Sequence, residues 1–201
     1  GTIGARVTDG ASVYALSNNH VYALENEAEL GSEVLQPGRY DSGCAYNQDD
    51  VIGTLSAFEP LDFSGRENTM DAAVALSSVD DLGKATPSDG YGLPKSTIVE
   101  ATLGTQVQKY GRTSGFTQGE VTGINGSVRV GYNAGTAFFA GQLIVESNKP
   151  FIKAGDSGSL LVTSGREPTG LLFAGNKSGK LAVASPIGLI LDHFGVSIDG
   201  E

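Results

Sequence analysis

The 201-residue chain sets 13 basic side chains against 23 acidic ones, for a net charge of −10, and has one cysteine. A single thiol excludes an internal disulfide framework, and no Cys/His cluster has the spacing of a zinc site. The acidic balance argues against nucleic acid or an anionic membrane as partner, because a phosphate backbone must be met by Lys and Arg, and no apolar run approaches the roughly 18 residues that cross a bilayer.

Hydrophobic periodicity along the chain is mostly two, in short segments rich in Val, Ile, Tyr, Phe and Thr. Strands are predicted near 2–8 (TIGARVT) and 12–17 (SVYALS), followed by a helix over His20 to Leu30, which is rich in good helix formers. Further strands follow near 51–58 (VIGTLSAF) and 70–77 (MDAAVALS). Residues 78–95, with Pro, Gly and acids and almost no periodicity, read as a connector. Beyond it come strands near 106–112, 118–124, 127–132, 136–146, 158–163, 169–174 and 180–184. A C-terminal helix is expected to open with Ser185 as N-cap and Pro186 at its first position, and to stop at Gly195. The excess of glycine, 29 residues without a repeat period, fits many turns. The pattern predicts an all-β fold with lobes at 1–85 and 86–201 in one structural unit. Because the chain starts directly in a strand pattern, upstream residues are expected in the full product.

The most informative run is Ala154-Gly155-Asp156-Ser157-Gly158-Ser159, followed by apolar Leu160-Leu161-Val162. Glycines on both sides of a serine permit a tight turn, and the N–H groups of Gly155 and Ser157 could converge on an anionic oxygen. The bare triplet is weak, for Asp41-Ser42-Gly43 repeats it in a polar stretch with no strand behind. A serine nucleophile needs a base, usually histidine. Of the two histidines, His193 lies in the C-terminal helix beside Phe194, where packing or capping suffices; His20 stands where a strand ends. Asp41, Asp49, Asp50, Asp62, Asp80 and Asp81 lie in polar surroundings, whereas Asp71 enters an apolar strand and needs a specific partner. Cys44 sits in a polar loop as an incidental thiol, and the spacing of Asp41, Asp49 and Asp50 fits no calcium loop.

The segments L-S-N-N-H-V at 16–21, M-D-A-A-V-A-L at 70–76 and G-D-S-G-S at 155–159 resemble the trypsin/chymotrypsin-like serine peptidases, in the manner of bacterial members without disulfides. The order His, Asp, Ser is that family's. Gly111-Arg112-Thr113-Ser114-Gly115-Phe116 with Gly119-Glu120-Val121 resembles a second-barrel segment, and Gly170 to Gly175 resembles the strand on which substrate is laid.

The resemblance implies two packed six-stranded antiparallel β-barrels, with a short helix after His20 and a C-terminal helix. It implies a serine endopeptidase in which Ser157 attacks, His20 moves the proton and Asp71 orients His20. Gly155 and Ser157 would form the oxyanion hole, without metal or organic cofactor, on a polypeptide substrate. A self-processing or single-target protease, or a non-catalytic peptide-binding module, are the alternatives. Asp156 would be buried against an internal cation, Lys109 or Arg112, rather than against a new N-terminus, since Thr2 to Val7 aligns with the strand before His20. The pocket base falls at Phe151 with Ile152 beside it, and its walls at Leu172, Phe173, Ala174, Gly175, Ala182 and Ala184. With no acid there, an uncharged and small side chain is expected before the scissile bond, not Lys or Arg. The family's serine that supports the triad aspartate from the substrate strand has no equivalent, because Leu172 or Phe173 stands there. The single thiol favours a reducing cytoplasm, while exported proteins that avoid cysteine keep secretion open.

Overall fold

Runs such as Leu160-Leu161-Val162 are apolar on both faces because both faces are covered, as the structure, a computed structural model of residues 1–201, makes plain. In β10 (Leu160–Thr163), Leu160 and Val162 join a cluster between the two sheets, while Leu161 points into a second cluster with Val121, Val145 and Phe151. In β6 (Ala73–Ser77), Val74 joins the inter-sheet cluster and Ala73 and Ala75 pack on the other side with Ile52 and Leu55. Each fully buried Leu or Ile contributes about 1.5–3 kcal/mol, so the inter-sheet set of Leu16, Leu160, Leu171, Ile187 and Ile190 is a main anchor between the halves.

The first sheet runs in the order β13 (Ser197–Ile198), β1 (Ala5–Thr8), β2 (Val13–Ser17), β6, β4 (Val51–Phe58), β3 (Glu33–Leu35). The second contains β12 (Leu181–Pro186), β11 (Pro168–Gly175), β10, β7 (Gln106–Gly111), β8 (Gly115–Gly131) and β9 (Thr136–Glu146). It closes on itself, since β9 also pairs with β12 through Val145↔Ala182 and Ile144↔Val183. The two-residue β5 (Glu67–Asn68) adds to β9 in parallel. Two helices complete the chain, α1 (Asn19–Tyr22) and α2 (Ile187–Phe194).

Three expectations are corrected. The helix over His20 to Leu30 stops at Tyr22, because Leu24, Glu25 and Asn26 adopt left-handed backbone (φ 50°, 60° and 78°). Side-chain bonds override helix propensity there: Asn26 Nδ2 donates to the Leu61 carbonyl at 2.9 Å and Asn26 Oδ1 accepts from Leu61 N at 2.8 Å. The strands at 118–124 and 127–132 are one, β8, with register shifts around Gly123 and Gly126. Ser185 does not cap α2; β12 runs through Pro186, which takes the N-cap position, and the buried Ser185 hydroxyl donates to Gln142 Oε1 at 2.9 Å. Gly195 closes α2 in the left-handed conformation.

Candidate active site

β2 and β6 are antiparallel neighbours, with Ser17 opposite Ala73, so the end of one and the start of the other converge. His20 lies three residues past the first and Asp71 two residues before the second. His20 Nδ1 is 2.6 Å from Asp71 Oδ2, and His20 N donates to Asp71 Oδ1 at 3.2 Å. Asn18 Nδ2 ties the loop down on the Asp71 carbonyl at 2.7 Å. The Asp71 side chain has no exposed surface. Tyr132, in the turn between β8 and β9, donates its hydroxyl to Asp71 Oδ2 at 2.8 Å and sets its ring edgewise to His20, centroids 5.6 Å apart. Burial, and then the Asp71 charge, push the Tyr132 phenol far above its ordinary range, so it remains a donor.

Ser157 sits in the turn before β10, flanked by Gly155 (φ 98°) and Gly158 (φ 93°), a conformation only glycine adopts without strain. The backbone N–H groups of Gly155 and Ser157 donate to no group of the protein, leaving two free donors beside the hydroxyl. Ser157 Oγ lies 3.5 Å from the Phe173 carbonyl, and no hydrogen bond joins it to His20. His20 and Ser157 line one cavity of about 520 Å³, together with Glu25, Ile152, Lys153, Phe173, Ala174 and Gly175.

Behind the turn, Asp156 is fully buried and richly bonded. Its Oδ1 accepts from Thr113 N at 2.9 Å and Ser114 N at 3.0 Å; its Oδ2 accepts from Ser114 Oγ at 2.6 Å and Lys153 N at 2.8 Å. Lys109 Nζ, also without exposed surface, lies 3.4 Å from Asp156 Oδ2 and bonds Ser114 Oγ and the Gly115 carbonyl. Burial would raise the Asp156 carboxyl, but the Ser114 donors and Lys109 outweigh it and hold the group below the ordinary carboxylate range. Burial lowers the Lys109 ammonium against the pull of Asp156. Arg112 instead reaches Asp41, with Nε 3.0 Å from Oδ2.

Two further groups hold the turn. Thr113 Oγ1 donates to the Ala154 carbonyl at 2.7 Å. Thr2 donates from its N to the Ser157 carbonyl and from Oγ1 to the Gly155 carbonyl, each at 2.8 Å. Sequence reasoning missed Tyr132, Thr113 and Thr2 as parts of the site; Thr113 stood in the Gly111–Phe116 segment and Thr2 in the first predicted strand, but nothing in the sequence tied either side chain to the serine turn.

Among the residues expected at the pocket, Ile152, Phe173, Ala174 and Gly175 line the cavity. Phe151, Leu172, Ala182 and Ala184 do not; all four are buried in the core of the second barrel, Leu172, Ala182 and Ala184 from inward strand positions and Phe151 from the loop before the serine turn. A Cβ at Gly175 would collide with Ile152 Cγ2, so Ile152 closes on the strand beside the cavity. Cys44 is exposed on its loop, and His193 Nε2 lies 3.3 Å from Glu59 Oε2 on the surface. No group of three or more His, Cys, Asp or Glu side chains is arranged to hold a metal ion, and no helix is long and apolar enough to cross a membrane.

The fold is the all-β, two-barrel fold of bacterial chymotrypsin-like serine proteases. Protease A from Thermobifida fusca superposes with a TM-score of 0.69 at 20% identity, over 99% of this chain and 91% of that one. A glutamic acid specific serine protease does so with 0.65 at 21% identity, over 96% and 90%, and an α-lytic protease homolog, N4, with 0.64 at 20%, over 97% and 90%. The likeness at these identities is one of fold. The chain belongs to the Nal1 C-terminal domain family, which matches residues 40–196, a stretch that holds Asp71 and Ser157 and begins after His20. No curated protein matches the chain.

Proposed function

We propose that the protein is a serine endopeptidase whose nucleophile is Ser157, with residues 1–85 and 86–201 forming two lobes of one unit. One juxtaposition carries the reading: His20, paired at 2.6 Å with the buried Asp71, shares a cavity with a serine beside two free backbone N–H groups. The Nδ1–H of His20 is committed to Asp71, which fixes the tautomer and leaves Nε2 free to accept a proton.

In the proposed reaction Ser157 Oγ leaves the Phe173 carbonyl, turns to His20 Nε2 and attacks the peptide carbonyl while the proton passes to Nε2. Such bonds commonly tighten only once substrate is seated. The oxyanion takes the N–H groups of Gly155 and Ser157, each worth about 3–4 kcal/mol of transition-state stabilisation. His20 returns its proton to the leaving amine, and water releases the acyl group by the same route. Asp156 anchors the turn from behind. Ile152 against Gly175 narrows the space beside Ser157, which supports a small, uncharged side chain before the scissile bond.

The Ser157–Phe173 contact favours a second reading, a peptide-binding module with a resting hydroxyl. A fluorophosphonate probe separates the two. Labelling of the wild type and not of Ser157→Ala supports the peptidase; no labelling of either supports the binder.

A further inference from the structure

We infer that Tyr132 is a positioning residue for Asp71, taking from the second barrel the place left empty by the absent serine of the substrate strand; this rests on the peptidase reading above. The strand β11 offers Asp71 nothing: Leu172 is buried in the barrel core, and Phe173 packs its ring on Phe139, centroids 4.7 Å apart. Asp71 Oδ2 therefore receives two donors, His20 Nδ1 at 2.6 Å and the Tyr132 hydroxyl at 2.8 Å, while Oδ1 receives His20 N at 3.2 Å.

The phenol is held on several sides. Its ring packs against Phe63 and Phe139, centroids 5.8 and 6.3 Å away. The turn that carries it closes through Tyr132 N to the Gly135 carbonyl at 2.7 Å. The next two N–H groups, of Asn133 and Ala134, donate to the Glu25 carboxylate at 3.1 and 2.7 Å. Glu25 is the middle of three consecutive left-handed non-glycine residues, a conformation that persists only where its surroundings impose it. Asn19 and Asn26 impose it, with Asn19 Nδ2 donating to Asn26 Oδ1 at 2.8 Å. Strained backbone in the first half thus grips the hairpin tip of the second, and that tip carries the donor that completes Asp71. The orientation of the base depends on this clasp.

A phenol donating to Asp71 draws off part of its negative charge. Its removal makes Asp71 a stronger partner for the imidazolium, so the His20 proton is held more tightly. Tyr132→Phe keeps the ring packing and removes the donor. The probe is a fluorophosphonate, with the labelling rate followed against pH. Tyr132→Phe is expected to lower the maximal inactivation rate about 10- to 100-fold, the size of a hydrogen bond to a charged group, with little change in the half-saturating probe concentration. It should also move the acid limb of the profile to higher pH. Glu25 and Lys153 also face His20 across the cavity and are unchanged in Tyr132→Phe. Glu25→Ala, which releases the hairpin tip and leaves the aromatic packing, should lower the maximal rate by less; its acid limb also carries the loss of a carboxylate beside His20, so the rate alone is its readout. A wild-type acid limb and rate in Tyr132→Phe overturn the assignment while the peptidase reading stands. Failure of the wild type to label sinks the peptidase reading and this inference with it.

Discussion

Thr113 Oγ1 holds the Ala154 carbonyl at 2.7 Å, and through it sets the direction of the Gly155 N–H. In a trans peptide the C=O and the next N–H point opposite ways, so pinning one aims the other. Thr113→Val should therefore let the peptide turn over and slow fluorophosphonate labelling by up to about 100-fold, the scale of one lost oxyanion donor. Thr113→Ser should retain most of the rate. Equal rates for Val and wild type would remove the hydroxyl from this role.

Lys109 and Asp156 form a fully buried pair. Deleting one charge from such a pair strands the other, which typically costs about 3–5 kcal/mol. Lys109→Met should fall at the lower end, since four other donors remain on Asp156. Arg112→Met removes a pair exposed to solvent, and a change below about 1 kcal/mol is expected. Urea unfolding midpoints compare the two; equal losses would contradict the assignment of Lys109 as the structural cation.

Asp199 provides a pH signature. Its carboxylate meets Arg6 Nε at 2.8 Å and Lys84 Nζ at 2.5 Å; burial would raise its pKa, but the two cations outweigh it and lower it. A carboxyl with a depressed folded pKa is protonated more readily in the unfolded chain. Its contribution is thus complete above the ordinary range near 4 and is lost as pH falls through the lower folded value. Denaturant midpoints taken from pH 7 to pH 2 should show this loss, and Asp199→Asn should flatten part of it. An identical slope in the variant would assign the acid sensitivity elsewhere.

On the proposed peptidase reading, Ile152 against Gly175 limits the side chain before the scissile bond. Ile152→Ala should widen acceptance from small to medium apolar residues before the scissile bond. A pocket change of this kind shifts discrimination by about 1–3 kcal/mol, or 10- to 200-fold. Paired ester substrates with Ala or Leu at that position report it. An unchanged ratio would show that another wall sets the limit.

Much of the sheet framework was legible because long strands announce themselves by alternation; β4 and β9 occupy the predicted residues. The short β3, β5 and β13, of three, two and two residues, are below the length at which any period can be read. The helix beyond His20 failed for a related reason: Leu24, Glu25 and Asn26 are shaped by Asn19, Leu61 and the distant hairpin rather than by their own propensities. At the site, motif context pointed to the segments of His20, Asp71 and Ser157, but their meeting follows from β2–β6 pairing and from the packing of the two sheets. Tyr132 and Thr113 were invisible because a hydroxyl in a turn carries no sign of what it will touch.

The chain after α2 does not stay with the barrel it leaves. β13 returns to lie against β1, with Ile198 opposite Val7, while β5 from the first half joins β9 in the second. Each half thus lends a strand to the other, so neither is a self-sufficient module. A nick in the 78–95 connector would leave the fragments interlocked, and the cleft between them would be inherited intact by a two-chain molecule.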